Sequence, residues 1–131
     1  MSAPPLRRRF PTRELAREAL ADGGERVELA VEVPAEMLYF DGHFPGFPIL
    51  PGVAQLAPLI LHEIARAWPD LGAPRRLSRL KWRQPVFPGA SLQLHLERPG
   101  GGPQVRFRLT REGRACSEGV VEFPPPAPAA A

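Results

Sequence analysis

The stretch Tyr39-Phe40-Asp41-Gly42-His43-Phe44-Pro45-Gly46-Phe47-Pro48-Ile49-Leu50-Pro51-Gly52-Val53 carries more information than any other part of this chain. Pro45, Pro48 and Pro51, together with Gly42, Gly46 and Gly52, keep it from being a regular helix or a central strand. It is also apolar, so it is expected to pack against something rather than stand in water. An apolar helical run opens at Pro51-Gly52 and is expected from Val53 to Trp68. One imidazole, His43, is thereby held in an irregular loop beside a helix N-terminus. That placement suits acid/base chemistry on an acyl group: histidine titrates near neutrality and the helix end favours negative charge.

On the N-terminal side, Val27, Leu29, Val31 and Val33 alternate with Glu28, Ala30 and Glu32, a half-buried strand ending at Pro34. Before it, Thr12 is placed to N-cap a short helix through Leu20, with Glu14 in its first turn and Asp22-Gly23-Gly24 as its stop. Residues 1–11, rich in proline and arginine, read as a flexible arm. Past the apolar helix the chain turns to strands. Arg76 to Gln84 alternates loosely, and Pro85-Val86-Phe87-Pro88-Gly89 makes a turn or bulge. Leu92, Leu94 and Leu96 alternate up to the Pro99-Gly100-Gly101-Gly102 turn, and Val105, Phe107 and Leu109 return from it. Arg111-Glu112-Gly113 turns the chain into a last strand, Ala115 to Phe123, and residues 124–131 are a disordered Pro/Ala tail. One strand, one long apolar helix and three or more antiparallel strands predict a single α+β domain over residues 12–123. A helix so apolar is expected inside, with the sheet wrapped around it.

The composition of the 131 residues, 44% apolar and 24% charged, is that of a soluble globular domain. Seventeen basic residues against 14 acidic ones give a net charge of +3, and 16 of the 17 are arginine. Arginine suits carboxylate and phosphate partners. No recognition helix rich in Lys and Arg, and no basic patch interleaved with aromatics, points to nucleic acid. Arg75, Arg76, Arg79 and Arg83 read as a solvated strand face that can also dock an acidic partner. His62 reads as a polar break in the helix and His95 as a strand histidine. Phe44, Phe47, Leu50, Leu56 and Trp82 read as core. The lone Cys116 reads as a small core residue in a cytoplasmic protein. Arg7-Arg8-Arg9 precedes no apolar run of the kind a secretory signal needs. The uncharged run from Phe44 to Leu61 contains Pro45, Pro48, Pro51 and Pro58, which excludes it as a membrane span. No His/Cys/Asp/Glu spacing suggests a metal, and no phosphate loop or Ser-His-Asp arrangement is present, so no cofactor is expected.

Two motifs carry a family resemblance. Gly42-His43-Phe44-Pro45-Gly46-Phe47-Pro48-Ile49-Leu50-Pro51-Gly52-Val53-Ala54-Gln55-Leu56 resembles the signature of the hotdog-fold β-hydroxyacyl-acyl-carrier-protein dehydratases. Leu80-Lys81-Trp82-Arg83-Gln84-Pro85-Val86-Phe87-Pro88-Gly89-Ala90-Ser91-Leu92 resembles the strand and turn that follow in the same family. The resemblance extends over roughly residues 25–123, and its wording is nearest to the aryl-polyene-type branch. It implies a hotdog fold, an antiparallel sheet around a long central helix, paired into a dimer with an acyl tunnel at the subunit interface. It implies the reaction too: a 3-hydroxyacyl thioester on acyl carrier protein loses water to give the trans-2-enoyl thioester. His43 would be the base, and the amides of Gly52 and Val53 would polarise the thioester carbonyl. Phe44, Pro51 and Gln55 would line the substrate site, and the arginines between Arg75 and Arg83 would receive the carrier.

The chain departs from that family at one position. The dehydratases carry Glu or Asp fourteen residues after the histidine, contributed across the dimer; here that residue is Ala57. Glu63 lies six residues on, about 9 Å along the helix and about 120° around it, and His62, Asp41 and Gln55 are no better placed. Pro58 is expected to kink the helix and free the Ala54 carbonyl, or else to sit near a late helix start. Four alternatives stay open at this point. The chain is a slow dehydratase using His43 and water, one half of a heterodimer, a non-catalytic carrier-binding subunit, or a hotdog acyl thioesterase.

Overall fold

A computed structural model describes residues 9–35 and 55–125. The histidine loop, the ends of the expected arm and tail, and the start of the helix lie outside them. Six strands form one antiparallel sheet: β1 (Thr12–Ala19), β2 (Glu25–Glu32), β3 (Arg76–Trp82), β4 (Ser91–Arg98), β5 (Gln104–Arg111) and β6 (Arg114–Glu122). Their order across the sheet is β1-β2-β4-β5-β6-β3, so β3 crosses over to the far edge, beside β6. A π-helical segment, Leu56–Leu61, runs directly into an α-helix, His62–Ala67, between β2 and β3 in the chain.

The period-2 pattern decides which face is inside. Val27, Leu29 and Val31 of β2 stand opposite Leu96, Leu94 and Leu92 of β4. Leu94 and Leu96 in turn face Leu109 and Phe107 of β5, and all are buried. Leu59, Ile60, Ile64 and Trp68 of the helical segment are buried with them in one core. Each such side chain taken out of water contributes about 1.5–3 kcal/mol. The helix stops at Trp68, where φ turns to −135° before Pro69 and the indole Nε1 donates to Glu25 Oε1 at 3.0 Å.

Two expectations are corrected, and the passage through Pro58 takes a form not foreseen. Residues 12–20 are not a helix: Thr12–Ala19 is strand β1, paired along its length with β2. Helical propensity is a weak preference of tenths of a kcal/mol per residue, which a ladder of backbone hydrogen bonds and local anchoring override. The anchors are visible. Phe10 is buried in the core, Glu32 N donates to the Pro11 carbonyl at 3.0 Å, and Thr12 Oγ1 donates to Glu63 Oε1 at 2.9 Å. Asp22-Gly23-Gly24 still ends the element, as a hairpin turn in which Gly24 N donates to Asp22 Oδ1 at 2.8 Å and Gly23 has φ +88°. Trp82 is not core but 49% exposed, because β3 is the edge strand of the sheet among the described residues. Lastly, the chain passes Pro58 as a π-turn. The wider i→i+5 register gives room for a ring that would crowd the carbonyl four residues back. Gln55 already has helical dihedrals (φ −68°, ψ −42°), while Ala54 lies outside the described residues.

Candidate active site

Of the residues singled out from sequence, His43, Phe44, Pro51, Gly52 and Val53 lie outside the described residues, as does Asp41. Gln55, Ala57 and the arginines of β3 lie within them. Gln55 is buried at the head of the helical segment, and Ala57, two residues on, is exposed. The position of the family acid thus opens outward from the single chain.

Glu63 does not take the place of that acid. It is 3% exposed, turned inward, and held by Thr12 Oγ1 at 2.9 Å and by Arg66 Nη1 at 3.4 Å. A buried carboxylate with two donors on Oε1 is a strap between helix and β1. His62 is half-buried with Arg9 Nη1 at 2.9 Å from its Nε2, and His95 lies between Glu28 (3.4 Å) and Thr110 Oγ1 (3.2 Å). Burial raises the Cys116 thiol above its ordinary pKa, with nearby Arg111 opposing, so the thiol stays protonated at neutral pH.

Of the four arginines expected at a docking face, Arg76 and Arg79 border one groove. Arg76 pairs with Glu122 at 3.7 Å, and Arg83 with Glu118 at 2.9 Å. Arg79 emerges from a bulge in β3, where Ser78 pairs with Val120 and Lys81 with Glu118, leaving Arg79 and Leu80 opposite Gly119 alone. The backbone N of Arg75 donates to the Glu122 carbonyl at 2.7 Å. Two further arginines, Arg106 and Arg108 of β5, stand on the outer sheet face beside this bulge and had not been singled out. Their alternation with Val105, Phe107 and Leu109 was the available signal.

Among the described residues no group of three or more His, Cys, Asp or Glu could hold a metal, and no helix is long and apolar enough to cross a membrane.

Comparison with known proteins gives the arrangement its context. The chain is 33% identical over 130 residues to the 3-hydroxyacyl-[acyl-carrier-protein] dehydratase FabZ of Erythrobacter litoralis, covering 88% of this chain and 80% of the relative. It is 27% identical to the FabZ of Ruminiclostridium cellulolyticum, with 90% and 89% covered. Among solved structures, an uncharacterized protein from Erwinia carotovora subsp. atroseptica superposes with a TM-score of 0.73 at 31% identity, covering 88% of this chain and 97% of that one. The dehydratase heterocomplex ApeI:P from Xenorhabdus doucetiae superposes with a TM-score of 0.63 at 23% identity, covering 86% and 97%, a likeness of fold. The profile of the ApeI-like family, described as ApeI dehydratase, matches residues 19–120. The α+β sheet and helix are those of the hotdog dehydratases, and this chain belongs to the ApeI-like dehydratase family.

Proposed function

We propose that this chain is a hydro-lyase that dehydrates a 3-hydroxyacyl thioester on acyl carrier protein to the trans-2-enoyl thioester, in cytoplasmic fatty-acid or polyene-type synthesis. The observation that carries the proposal is the histidine motif, Gly42 to Leu56, inside a family match that spans residues 19–120. His43 removes the proton α to the thioester carbonyl. The negative charge that builds on the carbonyl oxygen is met by the amides of Gly52 and Val53 and by the positive end of the helix. The β-hydroxyl then leaves as water, taking the proton that His43 has just removed. Phe44, Pro51 and Gln55 line the acyl site. The catalytic unit is a single hotdog domain, residues 12–123, with an arm before it and a Pro/Ala tail after.

A second subunit belongs to this reading. Strand β3 is a sheet edge with Leu77 and Trp82 38% and 49% exposed, an apolar border of the kind a neighbouring chain covers. Ala57 makes the identity of that neighbour matter. General acid catalysis contributes typically about 10²–10⁴-fold, so a homodimer lacking the acid is a slow enzyme. The solved heterocomplex of a structural neighbour favours a second version, in which a non-identical hotdog subunit supplies the carboxylate.

The test is turnover of the purified protein on 3-hydroxyacyl-carrier substrates, read by mass spectrometry with the oligomeric state measured alongside. Water loss that disappears in His43→Ala is the expected result, and a rise in rate with Ala57→Glu is expected if the missing acid limits it. Release of free acid would make the protein a thioesterase instead. Carrier bound but unchanged by the protein alone would move the activity to a heterodimer or remove it.

A further inference from the structure

The outer face of the sheet holds two adjoining grooves, about 690 and 550 Å³, that share Arg79, Arg106 and Val120. Their shared wall exists because of the bulge in β3. Leu80 turns inward so closely over β6 that a Cβ on Gly119 would lie 2.6 Å from Leu80 Cδ2 and 2.9 Å from Phe107 Cε1. Arg79 takes a left-handed backbone, φ +54°, a conformation seldom seen in residues other than glycine. The chain accepts strain here, and the result is a guanidinium aimed out beside Arg106.

Charge distribution on this face is uneven. Its carboxylates are already engaged: Glu97 by Arg26 at 3.2 Å and Arg106 at 3.9 Å, Glu122 by Arg76 at 3.7 Å, Glu28 by His95 at 3.4 Å. Glu118 has Arg83 at 2.9 Å and Lys81 at 4.0 Å. Neither Arg79 nor Arg108 has a carboxylate within 4.0 Å among the described residues, and both are exposed. Surplus cation is therefore concentrated where β3 bulges beside β6, one strand away from β5.

Resting on the proposed function, we infer that the carrier protein docks on this outer face, centred on Arg79, Arg106 and Arg108 rather than on the row Arg75, Arg76, Arg79 and Arg83. Cations on two strands, β3 and β5, with engaged carboxylates of β6 between them, fit a protein surface bearing several separated acidic side chains. A single phosphate would fill one corner of either groove.

The test compares Arg79→Glu/Arg106→Glu with Arg13→Glu, a control on the exposed edge strand β1. Carrier affinity is measured by biolayer interferometry at two salt concentrations, and dehydration is measured on a pantetheine thioester that has no carrier protein. The double variant, shown folded by its unfolding transition, should weaken carrier binding at least about tenfold and flatten its salt dependence. It should leave turnover of the small thioester within about twofold. Arg13→Glu should change neither by more than about twofold. Unchanged carrier affinity in the folded double variant overturns the inference, and so does an equal loss in Arg13→Glu. A wild-type protein that dehydrates nothing but binds carrier through these arginines refutes the proposed activity and leaves the docking face standing. One that dehydrates the small thioester but does not bind carrier does the reverse.

Discussion

On the inner face of the sheet Leu94, Leu96, Val105, Leu109 and Val121 are shut away from water, while one residue away on the same strands His95, Glu97, Arg106, Arg108 and Val120 border an open groove. The backbone is common to both faces, so the differences between them come from side chains alone. Inside, contacts are dense and each methylene counts, because protein interiors pack like organic crystals. Outside, arginines and glutamates meet in high dielectric, where an exposed ion pair is worth about 0–1 kcal/mol. The inner face therefore sets stability, and the outer face is free to be shaped by recognition.

Ile64→Ala tests the inner side most severely. Ile64 is fully buried between helix and sheet, and its truncation should cost about 2–5 kcal/mol, read from denaturant unfolding. A loss under about 1 kcal/mol would mean the helix packs far more loosely than its burial indicates. Gly119→Val joins the two faces at one residue. Its new methyls would push on Leu80 and the Phe107 ring, costing about 1–3 kcal/mol. Because Leu80 is the inward half of the bulge, the same variant should weaken carrier binding by displacing Arg79. A stability loss with unchanged binding would separate the faces that the bulge is argued to couple.

Much of the inner face was legible beforehand. Strands β2, β4 and β5 alternate apolar and polar residues, and a half-buried strand admits no other simple pattern. Strand β1 was not legible. Thr12-Arg13-Glu14-Leu15-Ala16-Arg17-Glu18-Ala19 is capped and composed like a helix, and nearly every residue in it is exposed as a strand. What makes it a strand lies elsewhere in the chain: the free edge of β2, the pocket for Phe10 and the carboxylate of Glu63. The exposure of Trp82 was hidden for a related reason. Nothing local says that β3 crosses to the far side of β6 and ends the sheet. The candidate site rests on its motif alone, since the histidine loop lies outside the described residues, and periodicity could only have called that stretch an irregular apolar loop. The outer groove was half legible, since alternation puts Arg106 and Arg108 outside, but only the crossover brings them beside Arg79.

Thr12→Val isolates what holds β1 in its unexpected state. It keeps the shape and removes the donor to Glu63, leaving a buried carboxylate with Arg66 at 3.4 Å as its partner among the described residues. About 1–2 kcal/mol should be lost, with amide exchange in β1 rising more than in β4. Uniform exchange changes would mean that Glu63 braces the whole domain and not this edge.

The smallest effect belongs to the outer face. Glu118 has its carboxyl held below the usual range, first by the hydrogen bond from Arg83 and then by the charges of Arg83, Lys81 and Arg108. A folded pKa below the unfolded one adds stability above the unfolded value, about 4.3, and that stability disappears as pH falls through the folded value. Glu118→Gln should therefore cost no more than about 0.5 kcal/mol at pH 7, given solvent screening. The difference from wild type should close in acid and shrink with added salt. The same substitution removes a negative charge from the docking face, so carrier affinity should rise at neutral pH while stability slightly falls. Opposite signs for binding and stability at one residue are what an outer face shaped by recognition requires. A variant that loses both would place Glu118 among the structural carboxylates, beside Glu63.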